Sequence, residues 1–387
     1  MKILVVATKP PWPPHDGGRL VLWLTLQALA TAGHALHLIA PVDAAAADPE
    51  ALAHLRTVCT PQLIPLRPRG WAAAAWRAAR EGSALSLARH RHAAIATAVA
   101  VRIAEWRPDI VHAEQLQALG NCDAAFNTGT RVVLRMQNVE SSLWQQLARA
   151  RPLLPLLAFE SRRLRAAEAR LLRRVAATLT LTDDDAAALR TIAPQAAANI
   201  SAVAPPYPSQ LPAGPSVAGE PALVLAGSTG WWPNRQGLDW FLASVAPRLR
   251  GNAGVRLHVF GGGIPSRRDV VAHAAPADSA AAFPEGAIAA VPLLTGSGIR
   301  MRILEAWARG LPVVATRVAA AGLVVASGRE LLIADNAEAF VEAVRSLQAD
   351  AALRAQLVAN GRAYLRRHHD PAACAAALTR QYRAALT

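Results

Sequence analysis

The 387-residue sequence predicts an α/β protein made of two parallel-sheet domains. Three observations carry this reading. Residues 287–316 run from an apolar strand through a glycine-rich turn and an amphipathic helix into a second apolar strand, one unit of a parallel sheet. Residues 2–41 run through strand, loop, helix and strand in the same way. Between these halves, residues 204–221 are rich in Pro, Gly and Ser and lack apolar periodicity, which reads as a linker. The expected domains are therefore 1–203 and 222–370, with a terminal helix over 371–387 returning to the first.

Taken in order, residues 2–7 are apolar on both faces, as in a buried parallel strand. A stiff loop over 9–18 ends in Gly17 and Gly18, where the strand hands over to a helix at 19–32. Gly33 ends that helix and a strand follows over 34–41. Residues 57–107 hold eight arginines against Glu81 and Glu105, with Trp71, Trp76 and Trp106 interleaved. They read as one or two amphipathic helices whose basic face suits either solvent or an anionic bilayer. Strands follow at 109–114 and 131–136, the second closing on Gln137, Asn138, Val139 and Glu140. A second Arg-rich stretch, 149–174, predicts long helices and leads into a strand at 177–181. Thr182 and Asp183 to Asp185 read as a helix cap rather than a metal site, because consecutive carboxylates at a helix start point in different directions.

In the second half, a strand at 223–226 runs into Gly227, Ser228, Thr229 and the Trp-Pro-Asn element ending at Asn234, with a helix over 236–249. A strand at 255–260 ends in Gly261, Gly262 and Gly263, and residues 263–287 are short and alanine-rich. After the 287–316 unit come a turn into a strand at 328–333 and helices over 336–350, 351–369 and 371–386.

Composition narrows the functional classes. The net charge of +14 is almost entirely arginine, since Lys2 and Lys9 are the only lysines, and it favours acidic partners. No nucleic-acid motif appears, so a phosphate ligand or a membrane surface ranks above nucleic acid. No apolar run is long enough to span a bilayer, and the start of the chain lacks signal-peptide architecture. Cys59, Cys122 and Cys374 have no metal spacing and fit a reducing, cytoplasmic setting. The spaced glycines of a dinucleotide site are missing, which counts against nicotinamide and flavin cofactors.

The chemistry concentrates at Gly296-Ser297-Gly298. Glycines here leave bare backbone N–H groups at a helix start, where an anion is favoured. Gly298, Arg302 and Glu305 are spaced by four and three and are expected to share a helix face, with Glu305 roughly 10 Å beyond the turn. That suits a ligand with phosphate at one end and sugar hydroxyls at the other; an ordinary Arg302–Glu305 surface pair is the alternative.

The run from Gly296 to Thr316 resembles the donor-binding signature of GT-B glycosyltransferases of family 4. The Gly17-Gly18 loop, the Gln137-Asn138-x-Glu140 strand end and the Trp-Pro-Asn element resemble the same family, the last its exopolysaccharide-associated branch. The resemblance covers most of the chain. It implies two Rossmann-like domains, the first for the acceptor and the second for a nucleotide-sugar donor, in a metal-independent, retaining sugar transferase. Gln137, Asn138, Glu140 and Ser297 are then the candidate catalytic residues. Gly17, Gly18, Ser228, Asn234, Arg235, Gly262, Gly296, Gly298, Ile299, Arg300, Arg302 and Glu305 are the candidate substrate contacts, Glu305 on ribose and the arginines on diphosphate. No cofactor is implied. The expected partners are the donor, a glycan or lipid-linked acceptor and an anionic membrane surface touched by a monomeric cytoplasmic protein.

The sequence also departs from the family pattern. Gln137 stands where a histidine is usual, Ser228 and Asn234 where arginine and lysine are usual, and Ser297 where the first of two glutamates is usual. A catalytically weak sugar-nucleotide-binding protein and a GT-B sugar-nucleotide epimerase therefore stay open.

Overall fold

The computed structural model describes residues 1–43, 49–67, 69–150, 155–227, 230–249, 255–261, 270–276 and 278–387. The chain divides into two compact units. The first comprises 1–14, 18–206 and 371–387, and the second comprises 15–17 and 207–370.

The described residues of the first unit form a seven-stranded parallel sheet. Its strands are β1 (Lys2–Val6), β2 (Ala35–Val42), β3 (Thr60–Pro65), β4 (Ile110–Glu114), β5 (Val132–Met136), β6 (Ala177–Thr180) and β7 (Ile200–Ala202). They lie in the order β3-β2-β1-β4-β5-β6-β7. Strand β1 shows why such strands read as continuous apolar runs. Leu4 and Val6 enter one apolar cluster, with Ile95 and Val99. Ile3 and Val5 enter the other, with Leu22 and Leu26 of the helix Gly17–Thr31 and with Leu378 and Tyr382 of the terminal helix Pro371–Leu386. Alternate side chains thus bury against helices on both faces.

The second unit holds a six-stranded parallel sheet among its described residues. Its strands are β8 (Ala222–Ala226), β9 (Arg256–Phe260), β10 (Val270–His273), β11 (Ile288–Val291), β12 (Val313–Ala315) and β13 (Leu332–Ile333), in the order β10-β9-β8-β11-β12-β13. In both sheets the order reverses once, between β1 and β4 and between β8 and β11. A doubly wound sheet opens its ligand crevice beyond the carboxyl ends of the strands that flank such a reversal.

Four local expectations need correction. The stretch 57–107 is not purely helical: it opens with β3 and continues in the helices Trp71–Glu81, Leu85–His90 and Ala93–Trp106. The helix expected from 236 starts at Trp232, because Pro233 fits the first helical turn. The signature helix spans Met301–Ala308, so Gly298 precedes it and does not share a helical face with Arg302 and Glu305. Gly298 has φ +76, a left-handed conformation that a right-handed helix cannot contain. The 207–221 part of the compositional linker is also firmly held. Tyr207 is buried, Leu211 N–H donates to the Ala308 carbonyl at 2.9 Å, and Gly214 bridges to Pro284. Among the described residues, no helix is long and apolar enough to cross a membrane.

Candidate active site

In the first unit, polar side chains gather at the sheet reversal. Strand β4 ends in Glu114 and β5 in Met136, with Gln137 just beyond. Gln137 donates one amide nitrogen to Glu114 Oε1 at 2.7 Å and to the Gly18 carbonyl at 3.1 Å. Its own carbonyl oxygen accepts from Gln115 Nε2 at 3.1 Å. The Thr8 hydroxyl, just past β1, donates to Gln115 Oε1 at 2.9 Å and closes the reversal point. Gln115 reaches these partners from a left-handed backbone with φ +72, a strained conformation for a residue with a Cβ.

Glu114 is 2% exposed and its other oxygen meets His112 Nε2 at 2.8 Å, while His112 Nδ1 meets the Tyr382 hydroxyl at 2.6 Å. Burial alone would raise the Glu114 carboxyl. The His112 hydrogen bond and charge, the buried Arg135 guanidinium and the Gln137 amide outweigh it and hold the carboxyl below the usual range. Glu114 is therefore an anion held by the His112 ring, whose other nitrogen meets the Tyr382 hydroxyl. This buried chain orients Gln137 and, through it, the glycine loop at Gly18.

Glu140 opens the helix Glu140–Ala150 and is partly buried, which raises its carboxyl against a hydrogen bond from Gln117. Asn138 is also partly buried. Beside Glu140 lies Glu168, fully buried, with Oε2 accepting from the Ser141 hydroxyl at 2.5 Å and Oε1 from Ser141 N–H at 3.2 Å. Burial pushes Glu168 up to about 7, and the neighbouring Glu140 charge adds to the shift while the Ser141 hydrogen bonds oppose it.

In the second unit, the signature residues surround the β8/β11 reversal. Gly227 lies just past β8 with φ +147, and a Cβ there would collide with the Arg302 guanidinium. The missing side chain at Gly227 is thus what seats Arg302 over the strand end. Burial lowers Arg302 to about 10, Glu305 opposes the shift, and Arg302 stays a cation. Gly296 and Gly298 both have positive φ, and the space a Cβ would fill at Gly296 holds the Arg300 guanidinium. Arg300 donates to the Ser297 carbonyl at 2.6 Å and lies 5.5 Å from the Trp231 ring centre. Ile299 is buried beside them. The side chain of Arg300, at the N-cap of the following helix, makes no capping hydrogen bond, and the first N–H groups of a helix carry a partial positive charge.

Glu305 is 5% exposed. Its Oε1 accepts from the Ser279 hydroxyl at 2.6 Å and from Arg309 Nε at 3.0 Å, so its ion-pair partner is Arg309 rather than Arg302. Arg309 also donates to the Ser279 hydroxyl at 3.1 Å and to the Pro212 carbonyl at 2.5 Å. Asn234 is buried in the first turn of the helix Trp232–Trp240. Arg235 points outward and pairs with Asp239 at 3.1 Å, an ordinary i,i+4 surface pair. Ser228 and Gly262 lie outside the described residues.

Sequence reasoning passed over Glu114, Glu168, Ser279 and Arg309. Only Arg309 left a local signal, its spacing of four from Glu305. Thr182 caps the helix Asp183–Ile192 by accepting from Asp185 N–H at 3.1 Å, and Asp185 accepts from the Thr182 hydroxyl at 2.8 Å. Among the described residues, no group of three or more His, Cys, Asp or Glu side chains is gathered to hold a metal ion.

Two doubly wound sheets, each with polar residues at its reversal point, define the GT-B class of α/β protein. The family model described as "Glycosyl transferase 4-like domain" matches residues 16–206, and the one described as "Glycosyl transferases group 1" matches 220–350. The chain belongs to the group 1 glycosyltransferases of family-4 type and is a glycosyltransferase. Among solved structures it is similar to sucrose-phosphate synthase from Thermosynechococcus elongatus, with TM-score 0.71 and 16% identity over 99% of this chain and 98% of that one. It is also similar to HepE of Anabaena in complex with UDP and glucose, with TM-score 0.64 and 15% identity over 98% of each chain. A glycosyltransferase from Rickettsia africae gives TM-score 0.63 and 11% identity over 100% of this chain and 98% of that one. No curated protein sequence matches the chain.

Proposed function

We propose that the protein transfers a hexosyl residue from a nucleoside diphosphate sugar to a hydroxyl of a glycan or lipid-linked acceptor, with retention of configuration and without a metal. The product would belong to a cell-surface or extracellular polysaccharide or glycolipid, made on the cytoplasmic side with peripheral contact to the membrane. The observation that carries this reading is the Arg302 guanidinium seated at Gly227, at the start of the helix Met301–Ala308 and one turn from Glu305. The arrangement offers cationic and N–H groups to a diphosphate and a carboxylate to ribose hydroxyls. The UDP and glucose bound to HepE make UDP-sugars the first donors to test.

In this reading Arg302 and the helix N–H groups stabilise charge as the bond between the anomeric carbon and the β-phosphate oxygen breaks. The acceptor oxygen bonds to the same face of that carbon, and its proton passes to the departing phosphate. Retention then needs no protein nucleophile. Calorimetric titration with UDP tests the site. Arg302→Ala and Glu305→Ala should each weaken binding by about 1.5–3 kcal/mol, roughly tenfold to a hundredfold, as for hydrogen bonds to charged groups. Asp184→Ala should bind like the unaltered protein, and sugar transfer should persist in excess chelator. Unchanged UDP affinity in both folded site variants would overturn the site, and activity abolished by chelator and restored by Mn²⁺ would overturn the metal-free mechanism.

A further inference from the structure

The helices Trp71–Glu81 and Pro155–Leu171 stand far apart in sequence and meet in the first unit. Arg163 donates to the Ala78 carbonyl at 2.9 Å, and the Glu160 carboxylate accepts from Leu85 N–H at the start of the neighbouring helix Leu85–His90. The two helices leave large apolar side chains in solvent: Trp71 is 54% exposed, Trp76 66%, Leu156 78% and Phe159 56%. Among the described residues, these three rings are the exposed large aromatic side chains of the protein. Folding has not hidden them, although the same helices bury Ala74, Ala78, Leu164 and Ala167.

Each exposed ring carries a guanidinium. Arg89 lies 4.0 Å from the Trp71 ring centre, Arg80 5.5 Å from Trp76 and Arg163 5.4 Å from Phe159. Opposing negative charge is scarce. Glu160 and Glu168 are buried, and Glu81 is engaged by Arg77 at 2.7 Å and Arg91 at 3.7 Å.

We propose that these two helices form one membrane-docking surface, in which Trp71, Trp76, Leu156 and Phe159 enter the headgroup–acyl boundary of an anionic bilayer and Arg80, Arg89 and Arg163 bind lipid phosphates. The proposal rests on the peripheral-contact part of the functional reading and names the residues that make the contact. Amphipathic aromatic rings settle at such a boundary, and arginines beside them reach the phosphates while their stems stay in apolar surroundings. The aliphatic Leu156, the most exposed of the four, has no face for a nucleobase to stack on, which favours lipid over single-stranded nucleic acid.

The test is co-sedimentation of the full chain with vesicles of phosphatidylcholine alone and of phosphatidylcholine mixed equally with phosphatidylglycerol. Binding is expected on the mixed vesicles only and should fall with added salt. The pairs Trp71→Ser with Trp76→Ser and Leu156→Ser with Phe159→Ser should each reduce partitioning roughly tenfold or more while leaving circular dichroism and UDP affinity unchanged. Equal binding to both vesicle types, no binding to either, or variant pairs that sediment like the unaltered protein would overturn the proposal. So would a preference for single-stranded RNA that displaces the protein from mixed vesicles. UDP titration of the same samples reports separately on the second unit, so a protein that binds lipid but not UDP would count against a uridine-nucleotide donor and leave this surface standing.

Discussion

At the scale of single residues, Arg309 joins three partners beside the donor signature. It pairs with Glu305, donates to Ser279 and ties down the Pro212 carbonyl, with its side chain 8% exposed and that of Glu305 7%. Removing one partner of such a pair leaves a buried charge uncompensated. Arg309→Ala should therefore lower stability in denaturant unfolding by about 3 kcal/mol, with Arg309→Lys in between. A loss below about 1 kcal/mol, the size of a surface pair, would contradict this account. Glu168 makes a different prediction. Its folded-state value of about 7 lies above the unfolded carboxylate value, so the folded state holds the proton more tightly. Stability from this group is present below the unfolded value and lost as pH rises towards 7, up to about 3 kcal/mol. Thermal melts should show a decline from pH 5 to pH 7.5 in the unaltered protein that is shallower in Glu168→Gln; parallel pH profiles would contradict the assignment.

At the scale of elements, the signature helix Met301–Ala308 is held by Trp307 against Gly361 of the helix Ala351–His368. A Cβ at Gly361 would overlap the Trp307 ring, so Gly361→Ala should destabilise the protein by about 1–3 kcal/mol and weaken UDP binding through the displaced helix. Retained melting temperature and affinity would show that the helix is free to shift. The sequence made β1, β4, β5 and the signature unit readable because their side chains bury on both faces of a sheet. It hid β3, whose Thr-Pro-Gln-Leu-Ile-Pro carries two prolines and a half-buried pattern, tolerable because β3 is an edge strand. The site divides the same way. Glu305 and Arg302 were legible from local spacing, and the Arg309 spacing was there to be read. Ser279 meets Glu305 only after the chain folds back over 26 residues. The Glu114–Gln137 contact needs β4 and β5 side by side, and Tyr382 reaches His112 across 270 residues. Contacts of that kind depend on strand order, which local patterning does not encode.

At the scale of the whole molecule, the chain leaves the first unit after Pro206 and returns to it at Pro371. The returning helix places Leu378 and Tyr382, both 0% exposed, in the core beneath β1. A chain cut after Asp370 should lose roughly 1.5–3 kcal/mol for each large side chain removed from that core and leave the buried His112 without the Tyr382 hydroxyl. Limited proteolysis of it should then cleave within 18–206 while 207–370 persists; equal protection of both would count against the prediction. The same connectivity has a meaning in time. A ribosome adding about 5–20 residues per second releases the first 206 residues, then the whole insertion, and only afterwards the helix that completes the first unit. The nascent first unit therefore waits on the order of ten seconds with one face of its sheet unfinished, and this interval is when it most needs a chaperone.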